Sequence, residues 1–321
     1  MKKNIISILI VVLTMMALIG CQTINDNVNN NLIDLEESQE EVVEIEAISQ
    51  PEYGDFGGYF WQVTNGEATV YLFGSIQMAD EAMYPFNEAV ENAFDSADIL
   101  GVEADITDTA AAQKLIPLMM YDQDDSLYNH LSEEGIETFE AACDELGLNK
   151  NYHSRFKIWV AGSNLMSLQL MRSPYSASEG VDMYFLEKAH EIEKEIIALE
   201  GIEFQVNLIN DFTDEEQEQA FFTIGSLDET IEEFTKMYEI YMTGNDEQMT
   251  SYLFDTDNEL TSDDNIEDAM LRDRNIEMAQ KIDAYLQTDK TYFIVVGLAH
   301  YLGDESVIRY LNDMGYTVER K

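Results

Sequence analysis

The sequence predicts an α/β fold, a mixed central sheet flanked by helices with a large helical insertion, and three observations predict it. Short apolar runs of strand length, Ile99 to Val102, Ile196 to Leu199 and Tyr292 to Val296, are separated by stretches of helical periodicity. A hairpin signal precedes them, with Tyr59 to Thr64 joined through Asn65-Gly66 to Ala68 to Phe73. Two long stretches, about residues 107–192 and 203–287, are helical in pattern, and the second is acidic outside. Buried strands between helices sort into an α/β layer arrangement.

Ahead of the hairpin the chain carries targeting signals. Lys2 and Lys3 precede an apolar run from Ile5 to Ile19 that is broken only by Ser7 and Thr14, too short for a comfortable membrane span. Residues 1–20 therefore read as a signal peptide. Leu18-Ile19-Gly20-Cys21 reads as a bacterial lipobox, in which the Cys21 thiol takes a diacylglycerol before cleavage. Two acyl chains anchor a soluble domain stably, so the expected address is the extracytoplasmic face of a membrane. Residues 21–54 are Asn-rich and then Glu-rich, with no aromatic before Tyr53, and are expected to form a disordered acidic tether. The folded domain is expected over residues 55–321.

Along that domain the three apolar runs are expected as buried strands. The chain closes with a helix near Glu305 to Asn312, a stop at Gly315, and a last strand from Tyr316 to Glu319. With Cys21 lipidated, Cys143 is the remaining thiol and no intramolecular disulfide is available. Its helical spacing from Ile136, Phe139 and Leu146 makes it a small buried hydrophobe.

The chain has 64 acidic against 17 basic residues and a formal charge of −47, which argues against nucleic acid and anionic lipid surfaces as partners. Cations, cationic peptides or plain solubility fit better. There is no Gly-x-Ser-x-Gly elbow, phosphate-binding loop, dinucleotide fingerprint or Cys-x-x-Cys pair, so serine-hydrolase, NTPase and redox chemistries lose support. Asp255-Thr256-Asp257-Asn258-Glu259 lacks the glycine and closing glutamate of an EF-hand.

Chemistry gathers where the strands end. The exits are Gly74-Ser75-Ile76-Gln77, Glu103-Ala104-Asp105, Glu200-Gly201 and Gly297-Leu298-Ala299-His300. In open α/β sheets the carboxyl ends of parallel strands form the binding crevice, which would place Gln77, Glu103, Glu200 and His300 around one cavity. Gly74, Ser75, Glu200 and Gly297 are the expected substrate-binding positions, because glycine lets the backbone approach a ligand. His300 is the strongest single candidate, as imidazole ligates metals and carries protons. His130 and His153 flank helices, and His190 lacks the second histidine of a zincin helix. Every fourth residue from Ile266 through Met270, Arg274, Met278 and Ile282 to Leu286 forms an apolar stripe interrupted by Arg274, with Asn275 on its flank. A buried guanidinium must meet a carboxylate or bind an anion.

Taken in order, these segments resemble the TraB/GumN family, whose distant relatives include the pheromone-shutdown proteins and the Tiki proteases. Tyr71-Leu72-Phe73-Gly74-Ser75-Ile76-Gln77 stands where that family has a strand leading into Gly-x-x-His, and Gly101-Val102-Glu103 at its next strand and glutamate. Gly180-Val181-Asp182 and Leu199-Glu200 with Gln205 match a middle block, Arg274-Asn275 a helical one, and Gly297-Leu298-Ala299-His300 the second Gly-x-x-His. The likeness covers about residues 59–321. It implies a divalent-metal-dependent peptidase, with Gln77, Glu103 and His300 at the metal positions for Mn²⁺ or Zn²⁺, and Glu103, His300, Arg274 and Asn275 as the catalytic set. Position 77 departs from the pattern, since glutamine binds first-row metals far more weakly than imidazole. Three readings follow. The first is a hydrolase in which Gln77 is third ligand or oxyanion donor and Arg274 anchors a substrate carboxylate. The second is a non-catalytic surface protein, without the metal, that captures a peptide or small ligand. In the third, the acidic face captures cations or a basic partner.

Overall fold

The computed structural model describes residues 56–254 and 268–321. The signal peptide, Cys21, most of the tether, the acidic run 255–259 and Ile266 lie outside the described residues. Strands are β1 (Tyr59–Asn65), β2 (Ala68–Ser75), β3 (Ile99–Val102), β4 (Glu195–Ala198), β5 (Thr291–Gly297) and β6 (Val318–Arg320). Helices are α1 (Glu88–Ser96), α2 (Thr109–Met119), α3 (Glu133–Leu146), α4 (Lys150–His153), α5 (Ile158–Leu170) and α6 (Val181–Glu191). They continue with α7 (Ile202–Asn210), α8 (Asp214–Phe221), α9 (Leu227–Met242), α10 (Asp246–Phe254), α11 (Asp273–Tyr285) and α12 (Val307–Asp313).

The strands form one mixed sheet in the order β4-β3-β5-β2-β1-β6. β4, β3, β5 and β2 are parallel, while β1 runs antiparallel to both β2 and β6. All four parallel strands therefore end on one edge, in the register Ser75 opposite Gly297 and Val102 opposite both Val295 and Ala198. Two glycines let these strands lie close. A Cβ on Gly74 would come within 2.4 Å of Leu298 Cδ1, and one on Gly101 within 2.3 Å of Ile294 Cδ1.

The central strands are buried, as their unbroken apolar composition demands, but β4 is not. Its two middle residues are half-buried and its two end residues exposed, because it lies at the sheet edge with β3 on one side only. The sheet carries an aromatic core in which Phe73, Phe86, Phe94, Phe185 and Phe293 meet at centroid distances of 4.8 to 6.0 Å. A second hydrophobic core lies among α2, α3, α5, α7 and α8, with Leu115, Phe139, Cys143, Trp159, Leu165 and Val206 buried in it. Cys143 is fully buried and its thiol is pushed up to about 11 by that burial, which fits an inert hydrophobe. The long second helical stretch divides: α7 and α8 join this core, whereas α9 and α10 return to the sheet through Phe234, Tyr241, Met249 and Leu253. Among the described residues no helix is long and apolar enough to cross a membrane.

Candidate functional site

The edge where the parallel strands end holds the expected residues together. After β3 and β4 the ladder continues one step, with Leu199 N donating to Val102 O at 2.7 Å and Glu200 N to Glu103 O at 2.9 Å. Glu103 and Glu200 are thus neighbours. β5 ends at Gly297, whose N–H donates to Glu103 Oε2 at 3.0 Å, and a single 3₁₀ turn then places His300 with no solvent exposure.

Arg274 enters from α11. A π-helical turn, Asp268–Arg272, leads into that helix, and Arg274 Nη1 donates to the Met270 carbonyl at 3.0 Å. The guanidinium is bidentate on Glu200, Nε to Oε1 and Nη2 to Oε2, both at 2.8 Å, and Nη2 also donates to Glu103 Oε1. Gln205 on α7 ties the two carboxylates together, its Nε2 donating to Glu103 Oε1 and Glu200 Oε2 at 3.0 Å each. Burial alone would raise the Glu103 carboxyl, but Arg274 and then His300 hold it well below the ordinary range. Burial likewise opposes the charge on Arg274, and Glu103 and Glu200 outweigh it, so its pKa is raised. The inward arginine therefore has its carboxylates, and the anchoring of a substrate carboxylate is not left to it: four of its five N–H groups are taken.

His300 is oriented from behind. Asn275 Nδ2 donates to the Glu305 carbonyl at 2.8 Å, which leaves Asn275 Oδ1 to accept from His300 Nδ1 at 2.6 Å. With the proton placed on Nδ1, the neutral ring keeps its lone pair on Nε2. That nitrogen is buried without a hydrogen-bond partner and stands 3.7 Å from Glu103 Oε1.

Of the sequence-expected positions, Gly74, Ser75, Glu103, Glu200, Arg274, Asn275, Gly297 and His300 lie at this edge. Gln77 follows on the β2 exit, partly buried, with its carbonyl against Gly180. Asp182, quoted above within the Gly180-Val181-Asp182 block and given no site role there, also lies at this edge. Val181 N donates to Ile76 O at 2.9 Å, and a Cβ on Gly180 would lie 2.3 Å from Gln77 O, so the start of α6 is pressed onto the β2 exit and brings Asp182 beside Ser75. In the sequence Gly180-Val181-Asp182 has the form of an ordinary helix start, where an acidic residue favours the helix dipole. Burial, then the Glu103 charge, pushes the Asp182 carboxyl up to about 7.

The donor set does not complete the expected divalent site. Among the described residues no group of three His, Cys, Asp or Glu is placed to hold a metal ion. The Glu103 oxygen that faces His300 already accepts from Arg274 and Gln205, and the third position is the weakly ligating amide of Gln77.

The TraB/PrgY/gumN family model matches residues 59–320. An uncharacterised protein of Escherichia coli strain K12, YbaP, is 23% identical over 246 residues, which cover 74% of this chain and 86% of that protein. YbaP of Shigella flexneri matches to the same extent. An uncharacterised protein of Treponema pallidum strain Nichols is 24% identical over 164 residues, covering 49% of this chain and 48% of its own. No solved structure matches the chain.

Proposed function

The chain belongs to the TraB/PrgY/gumN family, and on that premise we propose that it is a lipid-anchored extracytoplasmic hydrolase that cleaves peptide or related acyl bonds at the strand-exit edge. The observation that carries this reading is His300: wholly buried, with Nδ1 engaged by Asn275 and Nε2 unpartnered. Such an imidazole is a positioned general base. Nε2 would take a proton from the attacking water, and the Glu103 carboxylate, fixed by Gly297 N–H and Arg274, would stabilise the imidazolium that forms 3.7 Å away. Arg274 and Gln205 hold that charge in place and meet no substrate. The anchor is Cys21, carried by the lipobox pattern, so substrates are extracytoplasmic peptides that reach the membrane surface.

A second reading has one observation in its favour. Nε2 and Oε1 at 3.7 Å are near, though beyond, the about 3.4 Å between two ligands about 2.1 Å from one tetrahedral ion, which keeps Mn²⁺ or Zn²⁺ in play as a weakly held addition. Metal content and peptide cleavage by the purified full chain test both, with His300→Ala and Gln77→His beside it. We expect turnover to fall by about 100-fold or more in His300→Ala, and tight metal to appear only in Gln77→His. Undiminished turnover in His300→Ala sinks the base assignment, stoichiometric metal in the wild type establishes the second reading, and peptide capture without turnover leaves a binding protein. Cys21→Ser should move the chain from the membrane to the soluble fraction.

A further inference from the structure

The buried cluster lies on the seam between the two cores. The β3 exit passes from Val102 in the sheet core through Glu103 to Ala104 in the second core, and the β4 exit from Leu199 through Glu200 to Ile202. The turn before α11 passes the other way, from Met270 in the second core to Leu271 in the sheet core, and Arg274 follows one turn later. α5 crosses the same boundary. Ile158, Trp159, Ala161 and Leu165 pack in the second core, whereas Met166 and Leu170 pack in the sheet core. Asn164 and Ser167 stand at that changeover, 4% and 3% exposed.

A helix buried on nearly every side has to find partners for its own polar side chains. On α5 the buried ones are Ser163, Asn164, Ser167 and Gln169. Ser163 Oγ donates to the Trp159 carbonyl at 2.7 Å. Gln169 Nε2 donates to the Gly225 carbonyl at 3.0 Å, and its Oε1 accepts from Thr230 Oγ1 at 3.0 Å. Asn164 Nδ2 and Ser167 Oγ are buried with no hydrogen-bond partner. Three positions apart on a helix, they share one face, so the unmet polar groups of α5 are gathered on that face. The chain that leaves α5 is then tied to the β2 exit, with Ser176 N donating to Ala79 O at 2.8 Å and Ala79 N to Ser176 O at 3.2 Å.

We propose that this face of α5 is the wall of the crevice across from the strand exits, and that Asn164 Nδ2 and Ser167 Oγ bind the main chain of a peptide substrate. The inference rests on the reading of the strand-exit edge as a peptide site and names what holds the peptide there. An extended peptide offers a carbonyl acceptor and an N–H donor at each residue other than proline. The Asn164 amide nitrogen can only donate and takes a peptide carbonyl, whereas the Ser167 hydroxyl can meet either group. α5 carries no charged residue, so this recognition does not depend on the charge of the substrate. Both groups are unmet in the free protein and gain partners when a peptide binds. Their contribution therefore falls on affinity and not on the stability of the fold.

The test uses the full chain with Asn164→Leu and Ser167→Ala, and fluorescein-labelled tryptic peptides of casein as the probe. In each variant KM should rise about 5- to 10-fold with kcat held, the mark of a contact made equally in the ground state and the transition state. The melting temperature should stay at or above that of wild type, because an unmet buried polar group has been removed. The same substitutions placed on His300→Ala give the comparison without turnover, and peptide Kd by fluorescence anisotropy should rise by the same factor. Ser167→Ala removes a single oxygen and keeps the test decisive where Asn164→Leu fails to fold. Unchanged KM and Kd overturn the inference and leave the two groups to a buried water. A lowered melting temperature with unchanged affinity makes them structural and overturns it as well. A wild type that binds the peptides without cleaving them sinks the hydrolase reading alone, and a raised Kd in the variants still upholds the peptide wall. A wild type that neither binds nor cleaves overturns both.

Discussion

Arg274 is the residue on which the edge is assembled. It is buried with its side chain 1% exposed, between carboxylates that are 3% and 2% exposed. Removing one partner of such a cluster leaves uncompensated buried charge, whereas replacing all of it with neutral groups of similar shape is far cheaper. Arg274→Met should therefore destabilise the protein by about 3–5 kcal/mol in denaturant unfolding, and adding Glu103→Gln and Glu200→Gln should recover much of that. A single variant as stable as wild type would show that the pairing is not made. The sequence makes the need for a partner legible, because a guanidinium on an apolar stripe cannot stay alone. It cannot say which of 64 acidic residues answers. Glu103 and Glu200 are found only when β3 and β4 pair across about ninety intervening positions. Asp182 is legible in the sequence only as part of the Gly180-Val181-Asp182 block, and its place beside Ser75 comes from where α6 docks.

At the scale of elements, the strands were legible to within about two residues, since each is an apolar run bounded by polar or glycine residues. The edge position of β4 was not, because strand order follows from pairing between distant segments. The helical insertion, likewise, was visible as helix but not as a second core with its own fastening. One fastening is His130, which stacks on Tyr121 at 4.2 Å and bonds Asp125 at 2.9 Å before α3 and Asp214 at 2.7 Å, where α8 begins. Burial alone would lower the His130 pKa, and hydrogen bonds to the two aspartates outweigh it, so the folded value is raised above 6.5. A raised histidine contributes its full stability below the unfolded value and loses it as pH rises through the folded one. His130→Phe, which keeps the ring against Tyr121, should be less stable than wild type at about pH 5 and converge with it toward about pH 9. A gap that stays constant over that range would mean the bonds to Asp125 and Asp214 add nothing.

For the whole molecule the governing number is the formal charge of −47. Among the described residues many of those carboxylates are exposed, as on the outer faces of α8 and α9, where they repel one another. The buried cluster of Arg274, Glu103 and Glu200 answers to short-range pairing, which salt screens little, whereas the surface repulsion acts over the Debye length. Raising sodium chloride from about 0.01 M to 0.15 M shortens that length from about 30 Å to about 8 Å, so the melting temperature should rise. Calcium chloride at equal ionic strength separates two meanings of the acidic face. If the charge serves solubility, the two salts stabilise nearly alike, since screening depends on ionic strength. If carboxylates on that face bind cations, calcium stabilises further and saturably, because an ion that binds only the native state adds stability through mass action. The described residues hold no group of three acidic or metal-ligating side chains placed for an ion, so the nearly equal response is the one expected, and a saturating calcium shift would move this protein's function from the strand exits to its surface.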